Sequence, residues 1–122
     1  MLPSARSLLV LLLAGCTWSN PRIAGSIPLP PGSQRTLRVT APEPKDLTVE
    51  LWNRGPGRVT FRRVQPTRDE TGQGVLAPGA GELRWQATTA AMAIELLAES
   101  GEATVGYAVF GAGSIHTTIE LK

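Results

Sequence analysis

Three groups of residues in this sequence have types and spacings that suggest chemistry. Ser114 and His116 stand two apart in Gly113-Ser114-Ile115-His116. A hydroxyl beside an imidazole is the raw material of a nucleophile–base pair. No Gly-x-Ser-x-Gly turn surrounds Ser114, so nothing presents it as a nucleophile. On a strand the two side chains share a face, and His116 reads as a solvated strand histidine. Asp69-Glu70, beside Thr67 and Gly72, offers adjacent carboxylates. A calcium loop supplies more oxygen ligands in rhythm than this, and exposed loop charges are the better reading. The third group is Arg38, Trp52, Arg58 and Arg62. An indole among guanidinium groups can bind a glycan, an acidic polymer or a partner protein, or can simply be shielded by local cation–π packing. The sequence holds one histidine and one cysteine. That excludes a histidine metal cluster and an internal disulfide, and no metal or cofactor is expected. No glycine-rich phosphate loop leads from a strand into a helix, and no catalytic constellation emerges, so an enzyme is not expected.

The N-terminus carries the clearest signal. Met1–Ser7 has one positive charge, Arg6, and the unbroken apolar run Leu8-Leu9-Val10-Leu11-Leu12-Leu13 follows. That run is the length of a signal-peptide core and too short to span a bilayer as a helix. Leu13-Ala14-Gly15-Cys16 comes next, and it resembles the lipobox of bacterial lipoproteins: Leu, Ala or Ser, Gly or Ala, then Cys. The resemblance implies residues 1–15 as a cleaved signal peptide. It also implies that the Cys16 thiol receives a diacylglyceryl group and that the freed amino group is acylated in turn. Small residues at 14 and 15 let a peptidase approach the backbone. Acyl chains anchor at about 0.8 kcal/mol per buried CH₂. Thr17, rather than Asp, follows the cysteine. In a Gram-negative envelope the resemblance then implies an outer-membrane protein facing the periplasm.

Length and composition bound what remains. The 122 residues suffice for one small domain, and the 42% apolar share is that of a globular chain. Six of the ten prolines lie between Pro21 and Pro44. Residues 16–34, rich in Pro and Gly, read as the lipidated cysteine and a tether with a reach of at most roughly 60 Å. A packed edge strand at Ile27-Pro28-Leu29 is the competing reading. Trp18 sits beside the anchor, where an indole suits a membrane interface. Charge is uneven along the chain. Residues 22–68 carry nine basic and three acidic groups, a net +6. Residues 69–122 carry two basic and seven acidic groups, a net −5. The compartment and the acidic second half disfavour nucleic acid.

Residues 35–122 read as antiparallel β structure, because apolar residues recur with period two. Leu37 and Val39 alternate with polar neighbours, as do Leu47, Val49 and Leu51, Val59 and Phe61, Leu83 and Trp85, and Ile115, Ile119 and Leu121. Trp85 is expected to face the core. A turn at 53–57 predicts a hairpin pairing Leu51 with Val59, with Trp52 opposite Arg58 on the outer face and Arg62 two pairs along. A turn at 111–113 predicts Val109 opposite Ile115, and one at 99–102 predicts Leu96 opposite Val105. Residues 88–100 have good helix composition closed by Gly101. An internal repeat tips them towards strand. Leu29-Pro30-Pro31-Gly32, then Leu37–Ala41, then Leu47–Leu51 match Leu76-Ala77-Pro78-Gly79, Leu83–Ala87 and Met92–Leu96. The expected fold is therefore all-β: a small antiparallel β-sandwich of about seven strands with a pseudo-twofold internal repeat. The strands fall near 36–40, 47–53, 57–64, 82–87, 91–98, 103–110 and 114–121. Asn53-x-Gly55-x-x-x-Val59, with Leu76-x-Pro78-Gly79 later, resembles the strand–turn pattern of bacterial immunoglobulin-like modules over about a third of the chain.

The function expected is that of a non-enzymatic, lipid-anchored envelope accessory or assembly protein acting through protein–protein contacts or self-association. The oppositely charged halves motivate this, although they can equally neutralise each other within one molecule. A module binding an envelope polysaccharide or another anionic polymer through Trp52 is the alternative.

Overall fold

The computed structural model describes residues 23–67, 72–79 and 82–121. Residues 1–15, expected as a signal peptide, and Cys16, Trp18 and the Asp69-Glu70 pair lie outside the described residues. Seven strands form: β1 (Ile23–Leu29), β2 (Gln34–Pro56), β3 (Val59–Gln65), β4 (Gln73–Leu76), β5 (Glu82–Ala98), β6 (Ala103–Phe110) and β7 (His116–Leu121). They join in one antiparallel sheet of order β1-β6-β2-β5-β3-β4, with β7 added against β2. The all-β class and the strand state of residues 91–98 are as the sequence leads one to expect.

The strand order is a palindrome. Exchanging β1, β2 and β3 for β4, β5 and β6 reads it backwards unchanged. This is the internal repeat in three dimensions, two three-strand units about a pseudo-twofold axis between β2 and β5. Backbone bonds repeat with it. Gly32, after β1, donates to the Ala98 carbonyl at the end of β5 (2.9 Å), and Gly79, after β4, donates to the Asn53 carbonyl near the end of β2 (3.0 Å). Both glycines have positive φ, 73° and 77°, a conformation that penalises residues with a Cβ. That requirement explains why the Pro-Gly element recurs in both copies.

Two strands run through what the sequence presents as four. β2 spans 23 residues and β5 spans 17, and each bends midway. The β2–β5 register shifts between Thr40 and Lys45. Pro42 and Pro44 lie in that interval and have no N–H for the ladder. On β5 the bend falls where the Thr89 hydroxyl lies 3.0 Å from the Ala91 carbonyl and 3.1 Å from the Ala91 N–H. Four residues on β2 (41–44) thus face one on β5 (residue 90), a bulge that turns the sheet back on itself. The first half of β2 pairs with β7 and the second half of β5; its second half pairs with β6 and the first half of β5.

One core lies inside the fold. It joins Leu37 and Val39, before the β2 bend, to Leu47, Val49 and Leu51 after it, with Met92, Ile94 and Leu96 of β5 and Val105, Tyr107 and Val109 of β6. Trp85 belongs to it, 5% exposed. The inward faces expected from period two are those observed on β2, β3, β5 and β6; on β7 Ile119 packs against the core, but Leu121, expected on the same face, is 73% exposed.

The partners of those faces differ. β3 does not close a hairpin on β2: Val59 lies opposite Ala98 and Leu76, not Leu51. β6 crosses from β5 to β2, placing Tyr107 opposite Leu51, and β7 pairs with β2, placing Ile119 opposite Leu37. Each strand that follows a long strand therefore pairs with the other long strand. The two connecting turns bond to each other, Gly57 N–H to the Glu102 carbonyl (2.8 Å) and Glu99 N–H to the Arg58 carbonyl (3.3 Å). Two further strands lie outside the seven expected, the first of them containing the Ile27-Pro28-Leu29 edge strand of the competing reading. Ile23–Leu29, read as tether, pairs along β6, with Ile27 and Leu29 fully buried. Gln73–Leu76 pairs with β3.

Candidate functional site

The four residues singled out for binding sit at three separate places. Arg38, from the first half of β2, forms an ion pair with Glu120 of β7 (3.0 Å) and donates to the Gln65 side chain of β3 (3.2 Å). Arg62 of β3 pairs with Glu95 of β5 (2.7 Å). These two lie on the same outer sheet face, because Arg38 is in register with Ala93 and Gln65, and Arg62 with Glu95. Arg58 is exposed in the turn between β2 and β3.

Trp52 lies on the other half of the sheet, opposite Gly106 and Glu82 rather than Arg58. Its half-buried indole rests against Gly106, where a Cβ would collide with the ring. The guanidinium over it belongs to Arg54, 5.7 Å from the ring centre. The expected cation–π contact thus forms with a neighbour two residues along, because alternate strand residues share a face. Glu50, Glu82, Arg84 and Trp52 line a shallow depression of about 330 Å³. Glu50 and Arg84 approach to 3.6 Å across it.

The wider depression, of about 640 Å³, lies across β2, β5, β3 and β4. Its walls carry Thr60 and Arg62 of β3, Gln73 and Val75 of β4, and Glu95 and Leu97 of β5. Val75 is 49% exposed, unusual for a strand valine in this molecule. Beside it runs the outer edge of β4, which has no strand partner among the described residues. The sequence offered no direct signal for this groove, because β4 is four residues long and its valine has no alternating apolar neighbour to mark a strand.

Ser114 and His116 do not form a pair. Ser114 lies in the loop before β7, where its carbonyl lies 3.4 Å from the Lys45 ammonium. His116 is exposed at the first position of β7, opposite Thr40. Among the described residues no group of three or more His, Cys, Asp or Glu converges as metal ligands.

Asn53 is a polar residue whose role was not apparent from sequence. It is 2% exposed. Its amide donates to the carbonyls of Gly57 (2.8 Å) and Leu76 (2.9 Å), and its side-chain oxygen accepts from Gly55 N–H (2.7 Å). Leu76 ends β4, so Asn53 ties the crossing turns to the strand that borders the groove. A polar residue preceding a glycine turn is the visible signal, and it reads as turn chemistry alone.

Among the described residues no helix is long and apolar enough to cross a membrane. No protein-family model matches the chain, and no curated protein is similar enough to stand as a relative, so function is read from the residues themselves.

Proposed function

We propose that the chain is a non-enzymatic accessory protein of the bacterial cell envelope, held by lipid on Cys16 and acting through protein–protein contact at the groove across β2, β5, β3 and β4. The observation that carries the contact is the groove beside an unpaired strand edge. An extended segment of a partner can add to β4 through backbone hydrogen bonds while its side chains meet Gln73 and Val75 of β4 and the Arg62 guanidinium of β3. Mixed apolar and charged lining of this kind suits a partner that also exists free in water. The lipobox supports the anchor.

Two experiments test the two parts. Metabolic labelling with a palmitate analogue should mark the wild type and not Cys16→Ala, with the variant moving from the membrane to the soluble fraction. A photo-crosslinking side chain at Val75, in intact cells of the host, should give one discrete adduct with an envelope protein. The same probe at Trp52 should not. Absence of an adduct at both Val75 and Gln73, in a protein that is lipidated normally, removes the groove as the contact.

The depression at Trp52 favours a second reading, a module for an envelope polysaccharide. A half-buried indole beside carboxylates and a guanidinium can meet a sugar's apolar face and its hydroxyls. Trp52→Ala should then abolish retention on cell-wall glycan with the fold intact, and unchanged retention eliminates it.

A further inference from the structure

We propose that the end of the domain formed by the start of β1 and the β6–β7 loop rests on the lipid surface that holds the anchor, an inference that depends on lipidation at Cys16. The argument is one of chain length. β1 begins at Ile23, so seven residue steps separate it from Cys16. Even fully extended they reach only roughly 25 Å. The stretch from Ile23 to Gln34, which would have let the domain stand well clear of the membrane, is instead fixed in the sheet and its following turn.

The pairing decides which end is held down. Ile23 lies opposite Val109, the residue before the segment Phe110-Gly111-Ala112-Gly113-Ser114-Ile115. That segment contains no acidic residue and is small and apolar apart from one serine. Ala112, Gly113 and Ser114 are exposed, and Phe110 and Ile115 are partly so. The loop is also built rather than slack. A Cβ on Gly111 would meet Leu47 and Ile115 side chains at 2.9 and 3.0 Å. The Lys45 ammonium donates to the Ala112 carbonyl (2.7 Å), which places a cation at the loop. A short uncharged loop with an adjacent ammonium is suited to the headgroup zone of a phospholipid bilayer, where apolar side chains enter and a lysine meets phosphate. Among the described residues, the acidic groups on the β2 segment that flanks the loop are Asp46, whose carboxylate accepts from the Thr88 hydroxyl (2.6 Å), and exposed Glu43. Both lie on β2 beside the loop rather than in it. The opposite end of the sheet carries Arg54, Arg58, Glu99 and Glu102 in its turns and is the end pointed away from the lipid.

The test uses the full lipidated protein in vesicles of phosphatidylethanolamine and phosphatidylglycerol. Because the only thiol is consumed by the lipid, a cysteine introduced at Ala112 or at Ser100 can be labelled alone with an environment-sensitive fluorophore. The expected result is several-fold weaker quenching by aqueous iodide at position 112 than at position 100, and stronger quenching at 112 by headgroup-labelled lipid. Vesicle flotation and the mass of the N-terminal peptide read the anchor separately. A protein that floats, carries its lipid and shows equal iodide quenching at both positions overturns the inference while leaving the anchor. A protein with no lipid on Cys16 overturns both.

Discussion

At the scale of single residues, Asn53 and the glycines under aromatic rings do most to hold the turns and faces in place. Three cross-strand pairs set an aromatic ring against a glycine: Trp52 and Gly106, Tyr107 and Gly25, Phe61 and Gly74. In each the missing Cβ makes room for a ring that covers the bare backbone. Asn53 acts through hydrogen bonds alone. Its removal leaves the buried Leu76 carbonyl and Gly55 N–H and the part-buried Gly57 carbonyl without that partner, and leaving a buried group unsatisfied costs about 1–3 kcal/mol when no rearrangement helps. Asn53→Ala is therefore expected to destabilise the soluble domain by about 2–4 kcal/mol, read as a lower urea midpoint with an unchanged slope. Asn53→Asp keeps the acceptor for Gly55 but turns a carboxylate towards two carbonyls, and it should be no better tolerated than alanine. A loss from Asn53→Ala within the error of the midpoint means that the turns are held by their backbone bonds alone.

At the scale of elements, the bends of β2 and β5 make one sheet enclose one core. The Thr89 hydroxyl bonds locally at the β5 bend, and Thr89→Val keeps the branched shape while removing the bond. We expect a loss of about 0.5–1.5 kcal/mol, against little change for Thr117→Val, a half-buried threonine of β7 with no such bond. Equal effects at the two positions mean that the bend is set by the prolines of β2 instead. The same elements explain what was legible in the sequence. Period two marks which side chains point inward, and Leu47, Val49, Leu51, Met92, Ile94 and Leu96 all do. It carries no information about which strand lies alongside. Val59 meets an apolar inward face whether its neighbour is Leu51 or Ala98, so the hairpins expected from the turns were wrong in partner and right in face. The bends were invisible for a related reason. On β5 the bulge slips the alternation, from odd positions through Trp85 and Ala87 to even ones from Met92 onwards, and on β2 the inward positions stay odd but Pro42 and Pro44 interrupt them; either break reads as the end of one strand and the start of another. β1 and β4 were hidden by a proline at 28 and by brevity. Of the candidate binding residues, Trp52 was recognised by type, but its cation is Arg54. Arg62 was placed on the groove by the β3–β5 pairing and not by the hairpin that first suggested it.

At the scale of the whole molecule, folding sets charged residues of the first part of the sequence against charged residues of the second. Arg38 with Glu120 and Arg62 with Glu95 each pair a cation of the basic first part with a carboxylate of the acidic second part, while Arg84 with Glu50 joins the two parts in the opposite sense. The palindromic topology causes this, because every strand of one repeat lies against a strand of the other. Two of the cations that could draw two molecules together are thus used inside one, which favours a monomer over self-association through oppositely charged halves. These pairs are exposed in part, so each contributes only about 0–1 kcal/mol and salt should erode little stability. The soluble domain, with Cys16 replaced, is accordingly expected to sediment as a monomer both at low ionic strength and near 1 M salt, where the screening length falls to about 3 Å. Its urea midpoint should shift only slightly between the two. Glu120→Gln should lower stability by less than about 1 kcal/mol and leave the sedimentation unchanged. A dimer at low salt that dissociates as salt is raised contradicts the intramolecular pairing and returns the charged surfaces to the place of the partner-binding site. A monomer throughout agrees with the intramolecular pairing and leaves the proposed contact at the groove beside β4 to be decided by the crosslinks at Val75 and Gln73.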